Sequence, residues 1–392
     1  MQEAINSRGK TYRILLIIRW PVGGIRTFLR YVLRNFESSI YKFTIIAPEG
    51  NELRALLEDL FDLDIEYVYV KENPSSLEFF FSIFRNIFHN RYDLIYSQGF
   101  TSGLNAILPA KLRCTPIMLT SHDVFLEEQF SGIIGTLKKI CLCIIFPMFD
   151  LIHSVSYDAQ ENLLQFIPVM KLFKKRLIAI PNGIDVERFI SGSKRDFKNE
   201  LGLPDNVFLV GFFGRFMSQK GFKYLVDAIR IIKEFKLKKK PLVICFGESG
   251  FIREDRVYIQ KEGLDEFFRF LPFTPNISES LKGLDVVAMP SLWEACPLLP
   301  MEAMVAGIPI IGTECIGLRE VLRASPNVML PVKNSEAIAN ALYNEIKKST
   351  KDLMQKYIPE ACQRFNVLHQ ARQLEKIIQD LTHERQSINM KK

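Results

Sequence analysis

The feature that most constrains this chain is an alternation that runs, breaks and then restarts. Short β-branched or otherwise apolar runs at 13–18, 43–47, 65–70, 94–96, 116–120, 151–155 and 177–180 are separated by longer stretches of helical period, among them 25–35, 52–60 and 77–89. Strands spaced by helices of this length imply parallel β-α-β units with helices on both faces of a sheet. A break follows at 181–204, rich in Gly, Ser, Asn and charge, and reads as linker. The alternation restarts with runs at 208–213, 242–246, 268–271, 285–289 and 309–312, a helix through 221–234 and another from Leu298. The chain has 392 residues, which at roughly 100–200 residues per domain argues for two domains. The expected architecture is α/β, two doubly wound Rossmann-like domains facing across a cleft. Their expected bounds are 1–180 and 206–365, with a linker at 181–205. The amphipathic segment 366–392 is expected to form a C-terminal helix packing back on the first domain. Ligands in such sheets sit at the carboxyl ends of strands, beside helix N-termini.

Hydrophobic residues make up 48% and charged residues 24% of the chain, proportions of a soluble globular protein. The net charge is +7, with lysine clusters at 171–176 and 233–240. Such clusters suit nucleic acid, an anionic membrane face or an anionic substrate, or are simply solvated helix ends. Seven cysteines include no CxxC pair, and Cys141 and Cys143 sit in an apolar run without a histidine. That disfavours a metal site and suits reduced, mostly buried thiols of a cytosolic protein. The apolar run 12–18 leads into Arg19-Trp20-Pro21 instead of a small-residue cleavage site. The run 140–149 has about ten apolar residues against the roughly 20 a membrane span needs, so no transmembrane helix is expected.

The chemistry concentrates at 290–304. As one continuous helix, this segment would set Glu294 and Glu302 about 80° apart and roughly 12 Å along the axis. Pro297 and Pro300 forbid helix before about position 297 but are accepted in a first turn. Glu294 is therefore expected in the loop after the 285–289 strand, and Glu302 in the second turn. The free amides of Leu298 and Leu299 make an anion site. Carboxylates on either side of it suit sugar hydroxyls, and a diphosphate between two sugars fits that arrangement. Taken singly, Glu302 reads as an ordinary helix-surface glutamate.

Other motifs are weaker alone. Gly214-Arg215-Phe216 and Lys220-Gly221 place two cations five residues apart after a strand, where they would neutralise a diphosphate in place of a metal. Pro21-Val22-Gly23-Gly24 gives a turn into a helix N-terminus. It is not GxGxxG, and no acidic residue ends the second strand, which disfavours a dinucleotide dehydrogenase. Gly247-Glu248-Ser249-Gly250 is a generic strand-to-helix turn. His122, in Thr120-Ser121-His122-Asp123, either hydrogen-bonds a ligand or is a packed imidazole beside a helix cap. Asp62-Leu63-Asp64 precedes a strand and reads as turn residues. Phe80, Ile83, Phe84, Ile87 and Phe88 share one helix face, either as core or as a surface that docks on a membrane.

Together these residues resemble a family. The spacing Glu294-x7-Glu302, with Pro290-Ser291 before it and Ala303-Met304 and Gly307-Ile308-Pro309 after it, resembles the retaining GT-B glycosyltransferases of family 4, the group 1 transferases. Pro181-Asn182-Gly183-Ile184-Asp185 with Phe189 looks like that family's interdomain linker. Gly214-Arg215 with Lys220-Gly221 has its cation spacing. Asp285, Gly317-Leu318-Arg319-Glu320, Gly23-Gly24 and His122 also fall at counterpart positions, so the resemblance covers about residues 13 to 345. It departs from the pattern at Ala295, where the family usually has glycine, at Cys296 and Pro300, and at Ile316, where a first glycine is common.

The resemblance implies a sugar transfer from a nucleotide-diphosphate donor, UDP-sugar favoured, to a glycan or lipid-linked acceptor in surface polysaccharide or lipopolysaccharide synthesis. The first domain would be the acceptor side and the second would bind the nucleotide sugar. No metal, no further cofactor and no nucleic acid are implied. The implied setting is cytoplasmic, with peripheral contact to the anionic inner membrane face. Arg215 and Lys220 would bind the diphosphate, helped by the Leu298 and Leu299 amides. Glu302 would hold the ribose and Glu294 the transferred sugar. Gly23 and Gly24 would approach the phosphate, and His122 the donor sugar. A sugar-nucleotide epimerase would need more acid/base groups than five histidines with only His122 well placed. A sugar-nucleotide-binding protein without turnover stands as the other alternative.

Overall fold

The computed structural model describes residues 11–389 apart from 248–249, 273 and 275, with side chains up to 383. The chain divides into two units, residues 1–182 with 367–392, and residues 183–366.

The first unit holds strands β1 (Tyr12–Ile18), β2 (Tyr41–Ile46), β3 (Ile65–Val68), β4 (Leu94–Gln98), β5 (Ile117–Ser121), β6 (Leu151–Ser154) and β7 (Leu177–Ala179). They form one parallel sheet in the order β3-β2-β1-β4-β5-β6-β7. The second holds β8 (Val207–Phe213), β9 (Lys240–Phe246), β10 (Phe268–Leu271), β11 (Val286–Met289), β12 (Ile310–Thr313) and β13 (Val328–Leu330), in the order β10-β9-β8-β11-β12-β13, again parallel. A parallel strand is covered on both faces, which is why its sequence is a continuous apolar run. In β1, residues Ile14, Leu15, Leu16, Ile17 and Ile18 are all fully buried. In each sheet the order reverses at its first strand: β1 pairs with β2 and β4, and β8 with β9 and β11. Such a switch point opens a crevice at the strands' carboxyl ends.

Each unit has its own core. Phe79, Ile83, Ile87, Leu119, Phe146, Phe149 and Ile152 pack in the first, and Val210, Phe212, Phe222, Ile229, Val243 and Ile311 in the second. Each such side chain contributes roughly 1.5–3 kcal/mol of transfer free energy. The helix Ser76–His89 opens with a capping box, Ser75 and Glu78 each accepting the other's backbone amide proton. Its Ile83 and Ile87 belong to the core, whereas Phe80 and Phe84 are half-buried and Phe88 stacks on Phe84 at 4.3 Å. Two of the five stripe residues are therefore core, and the three phenylalanines form its partly exposed edge.

The long final helix, Val367–Asn389, is grouped with the first unit. Ala371, Leu374 and Ile378 are fully buried, Gln379 donates to the Tyr41 hydroxyl at 3.2 Å, and His383 hydrogen-bonds Tyr12 at 2.7 Å.

Three expectations need correction. Residues 181–204 are not bare linker: they contain the short helices Val186–Ile190 and Phe197–Glu200, whose Phe189 and Phe197 are buried. Those two phenylalanines anchor the segment to the second unit, so from Gly183 onward it belongs there. The cysteines are not mostly buried. Cys114 and Cys141 are exposed, Cys143 and Cys362 half-buried, and only Cys245, Cys296 and Cys315 buried. Strand β13, half-exposed at a sheet edge, had no counterpart among the expected runs. Among the described residues, no helix is long and apolar enough to cross a membrane.

Candidate active site

The site in the second unit grows from the switch point between β8 and β11. Strand β8 ends at Phe213, and the chain turns through Gly214 and the exposed Arg215 into the 3-10 turn Ser218–Lys220. The stem of Lys220 passes over Gly214, where an added Cβ would lie 3.6 Å from Lys220 Cε. Gly221 then takes φ +63°, and a Cβ there would fall 2.0 Å from the Pro290 carbonyl oxygen. The position thus combines a left-handed backbone with a backbone neighbour at the end of β11, and only glycine meets both demands.

From the other side, β11 ends at Met289 and delivers the loop that carries Ser291 and Glu294. Two contacts tie the loops together. Leu292 N donates to Gln219 O at 2.7 Å, and Gln219 Nε2 donates to Trp293 O at 3.0 Å. The far side of the loop is fixed by Glu294 N donating to Ile316 O at 3.0 Å and by Thr313 Oγ1 donating to Ser291 O. Gly317, at φ +75°, lets its strand-to-helix turn approach this loop; a Cβ would fall 2.4 Å from Glu294 O.

These constraints bring Lys220 Nζ to 2.6 Å from Glu294 Oε1, which also accepts from Ser291 Oγ at 2.8 Å. Glu294 is 6% exposed, so its carboxylate is held almost out of water by a cation and a hydroxyl. Cys315 lies buried beside this group. Burial pushes its thiol up to about 11, the Glu294 charge adding to the effect and a Thr313 hydrogen bond opposing it, so it stays protonated at neutral pH.

The helix after this loop spans Leu299–Val305, with Leu298 at its N-cap and Pro300 in its first turn. The Leu298 and Leu299 amides thus open the helix, where the backbone offers no intrahelical acceptor. The start lies two residues beyond Pro297, so Glu302 falls in the first turn, not the second. Nor is Glu302 a surface residue: it is 5% exposed. Asp285 is not part of the group. It sits before the amino end of β11, where Oδ2 accepts from Leu209 N at 2.7 Å and pins β11 to β8. Glu248 and Ser249 of the 247–250 turn lie outside the described residues.

In the first unit, Gly23 caps and Gly24 begins the helix Gly24–Leu33, and a Cβ on either would meet open space. His122 follows β5. Its Nε2 donates to Gln98 Oε1 at 2.8 Å, and Phe28 meets the ring edge-on at 4.8 Å. Loss of hydration, with His153 nearby, pushes the His122 imidazole down to about 3, so it is neutral at pH 7. His153 is fully buried. Its Nε2 donates to Ile180 O at 3.0 Å, which leaves Nδ1 to accept from Thr120 Oγ1 at 3.1 Å. Burial holds it down at about 4. His122 is thus a packed, neutral imidazole, yet half-buried instead of sealed. Asp64 lies in the turn before β3, its carbonyl accepting from Phe43 N at 2.9 Å.

The structure gathers Lys220 and Glu294 in one cluster, with Arg215 and the Leu298–Leu299 helix start on the loops that carry them. Sequence reasoning missed Ser291 as a donor to Glu294. The signal was present, since a serine three residues before a buried carboxylate reaches it when the loop turns. Gln98 and His153 were also missed; a polar pair closing an otherwise apolar strand, Ser97-Gln98 in β4 and His153-Ser154 in β6, was the available cue.

Two sheets of this order, with the cluster at the second switch point, define the GT-B class of two-domain α/β proteins. The structure of HepE from Anabaena with UDP and glucose has the same fold, with TM-score 0.77 and 21% identity, covering 94% of this chain and all of that one. The model described as Glycosyl transferases group 1 matches residues 193–364, and that described as Glycosyltransferase Family 4 matches residues 22–188. The chain belongs to the family 4, group 1 glycosyltransferases. It is 26% identical to a D-inositol 3-phosphate glycosyltransferase of Corynebacterium jeikeium, over 74% of this chain and 73% of that protein. It is 23% identical to a UDP-Gal:alpha-D-GlcNAc-diphosphoundecaprenol alpha-1,3-galactosyltransferase of Escherichia coli, over 70% and 72% respectively.

Proposed function

We propose that this glycosyltransferase moves a sugar from a UDP-sugar to a glycan or lipid-linked acceptor with retention of anomeric configuration, in surface polysaccharide or lipopolysaccharide assembly. The observation that carries the reading is the Lys220–Glu294–Ser291 cluster at the β8/β11 switch point. In this reading Arg215, Lys220 and the Leu298 and Leu299 amides take the donor diphosphate, so no metal is required. They stabilise the charge that builds on the departing nucleotide, the kind of effect that often dominates catalysis. Ser291 and Lys220 share Oε1 of Glu294, which leaves Oε2 for a hydroxyl of the transferred sugar. Glu302, in the first turn of the helix that follows, takes the ribose hydroxyls. In the first unit, Gly23, Gly24 and His122 are ligand contacts at the carboxyl edge of their own sheet. The leaving phosphate oxygen accepts the acceptor's proton, and no protein nucleophile is involved.

The UDP-Gal and diphosphoundecaprenol in the name of the Escherichia coli relative support this donor and a lipid-linked acceptor. Incubation with a panel of sugar nucleotides, followed by mass spectrometry of products and by donor hydrolysis without acceptor, tests the reading. Consumption of a UDP-sugar is expected, with the anomeric configuration kept in the product. Binding of a sugar nucleotide without any turnover would instead identify a binding protein.

A further inference from the structure

The helix Gly132–Ile145 of the first unit is held down along one narrow side. Gly135 lies so close to the preceding turn that a Cβ would fall 2.2 Å from the Phe130 carbonyl carbon. Leu142 and, just past the helix, Phe146 are buried. At 100° per residue these three positions fall within about 40° of one another. The opposite side, an arc of about 120° on the same count, carries Ile133, Ile134, Leu137, Ile140, Cys141 and Ile144. The five aliphatic residues are 82%, 83%, 57%, 51% and 65% exposed. The 3-10 segment Pro168–Arg176 packs against this helix and adds Leu172, itself 82% exposed. Lys138 on the helix and Lys171, Lys174 and Lys175 on that neighbouring segment are exposed, with Lys139 and Arg176 half-buried; Glu127 and Glu128 are the exposed carboxylates on the turn before the helix.

An exposed apolar stripe of this extent marks an interaction surface. Its chemistry selects the occupant. The arc is convex and, apart from the Cys141 thiol, aliphatic, with no aromatic side chain and no strong hydrogen-bonding group, so it offers a folded partner no register, whereas a bilayer needs none. The helix carries no acidic residue, and its flanking lysines match an anionic surface. A second copy docked on the same face would set those lysines against themselves.

We propose that this face seats the protein on an anionic lipid bilayer, with the aliphatic arc in the headgroup–acyl boundary and the lysines over the anionic headgroups. The inference deepens the reading of a lipid-linked acceptor by naming the surface that reaches the membrane, and vesicle binding tests it without any transfer reaction.

Full-length protein is sedimented with phosphatidylcholine vesicles with and without roughly 30% phosphatidylglycerol, an anionic fraction that gives a surface potential of the kind lysines sense. Binding is expected to the anionic vesicles and to weaken with salt. The Ile134→Glu/Leu137→Glu variant is expected to bind at least tenfold more weakly, while Phe81→Glu, on the helix Ser76–His89, binds as wild type. Both sites are exposed, and matching circular dichroism melts verify folding. A polarity-sensitive dye on Cys141, with Cys114 replaced by serine, is expected to shift blue on the anionic vesicles. No vesicle binding by wild type, equal binding by the double variant, or a dimer that the variant breaks each overturns the proposal. Vesicle binding that the variant abolishes, in a protein that turns over no sugar nucleotide, sinks the transferase reading and leaves this surface standing.

Discussion

Lys220 Nζ stands 2.6 Å from Glu294 Oε1 although 74 residues separate the two in sequence. The cation comes from the turn after β8 and the carboxylate from the loop after β11, strands that are neighbours only in the folded sheet. Each charge is the other's ion-pair partner. In the proposed reading, a donor diphosphate draws Lys220 toward phosphate while Ser291 keeps Glu294 hydrogen-bonded.

Lys220→Ala should therefore slow transfer at least tenfold, and Lys220→Arg should recover part of it. The variant leaves a nearly buried carboxylate with only Ser291, so a loss of about 1–3 kcal/mol in urea unfolding is also expected. Near-wild-type kcat/KM in Lys220→Ala would remove this residue from the site.

Ser291 Oγ donates to Glu294 Oε1 at 2.8 Å, and in the proposed reading it positions that carboxylate. Ser291→Ala is expected to lower kcat several-fold and, by taking a hydrogen bond from a buried carboxylate, to cost about 1–3 kcal/mol in unfolding, and Ser291→Thr, which keeps the hydroxyl, to restore most of both. A loss that Ser291→Thr fails to rescue would argue for packing instead of hydrogen bonding.

The glycines at the loop crossings should tolerate nothing larger. Gly221→Ala puts a methyl 2.0 Å from the Pro290 carbonyl oxygen on a backbone at φ +63°, and about 2 kcal/mol or more should be lost. Gly317→Ala meets Glu294 O and Ala295 O in the same way. Chemical denaturation reads both. A change under about 0.5 kcal/mol, typical of a bland surface substitution, would show that these loops move apart freely.

Stability should fall on acidification. His122 and His153 are pushed down to about 3 and about 4 by burial, against roughly 6.5 when unfolded. Between those values the unfolded chain binds more protons than the folded one, so unfolding becomes easier as pH drops. The loss begins as pH falls through about 6.5 and continues to the folded values; at pH 5 it is on the order of 1–2 kcal/mol per histidine. His153→Gln keeps an amide for Thr120 and Ile180 but does not titrate, so its stability should vary less between pH 7.5 and 5. An unchanged slope would mean that His153 is protonated in the fold.

The strands were legible because a parallel sheet buries both faces, so β8, and β1 from Ile14 onward, is written as an uninterrupted apolar run. Pro297 and Pro300 announced a helix start in the same local way. The pattern failed where few residues carry it. The helices Val186–Ile190 and Phe197–Glu200 are too short to show a period, and what orders them is the burial of Phe189 and Phe197. Periodicity also cannot tell a buried stripe from an exposed one. The face with Ile83 and Ile87 went into the core, while the face with Ile134 and Leu137 stayed in solvent.

By itself, the sequence determined the alternation of strand and helix, the division into two sheets, and the residue types at the ends of β8 and β11, because each is set by neighbours within a few turns. Only the tertiary structure decided that Lys220, Ser291 and Glu294 meet on one carboxylate oxygen. That meeting depends on which strands lie side by side and on how far two loops can approach, and Gly221 and Gly317 set that distance through contacts made far along the chain.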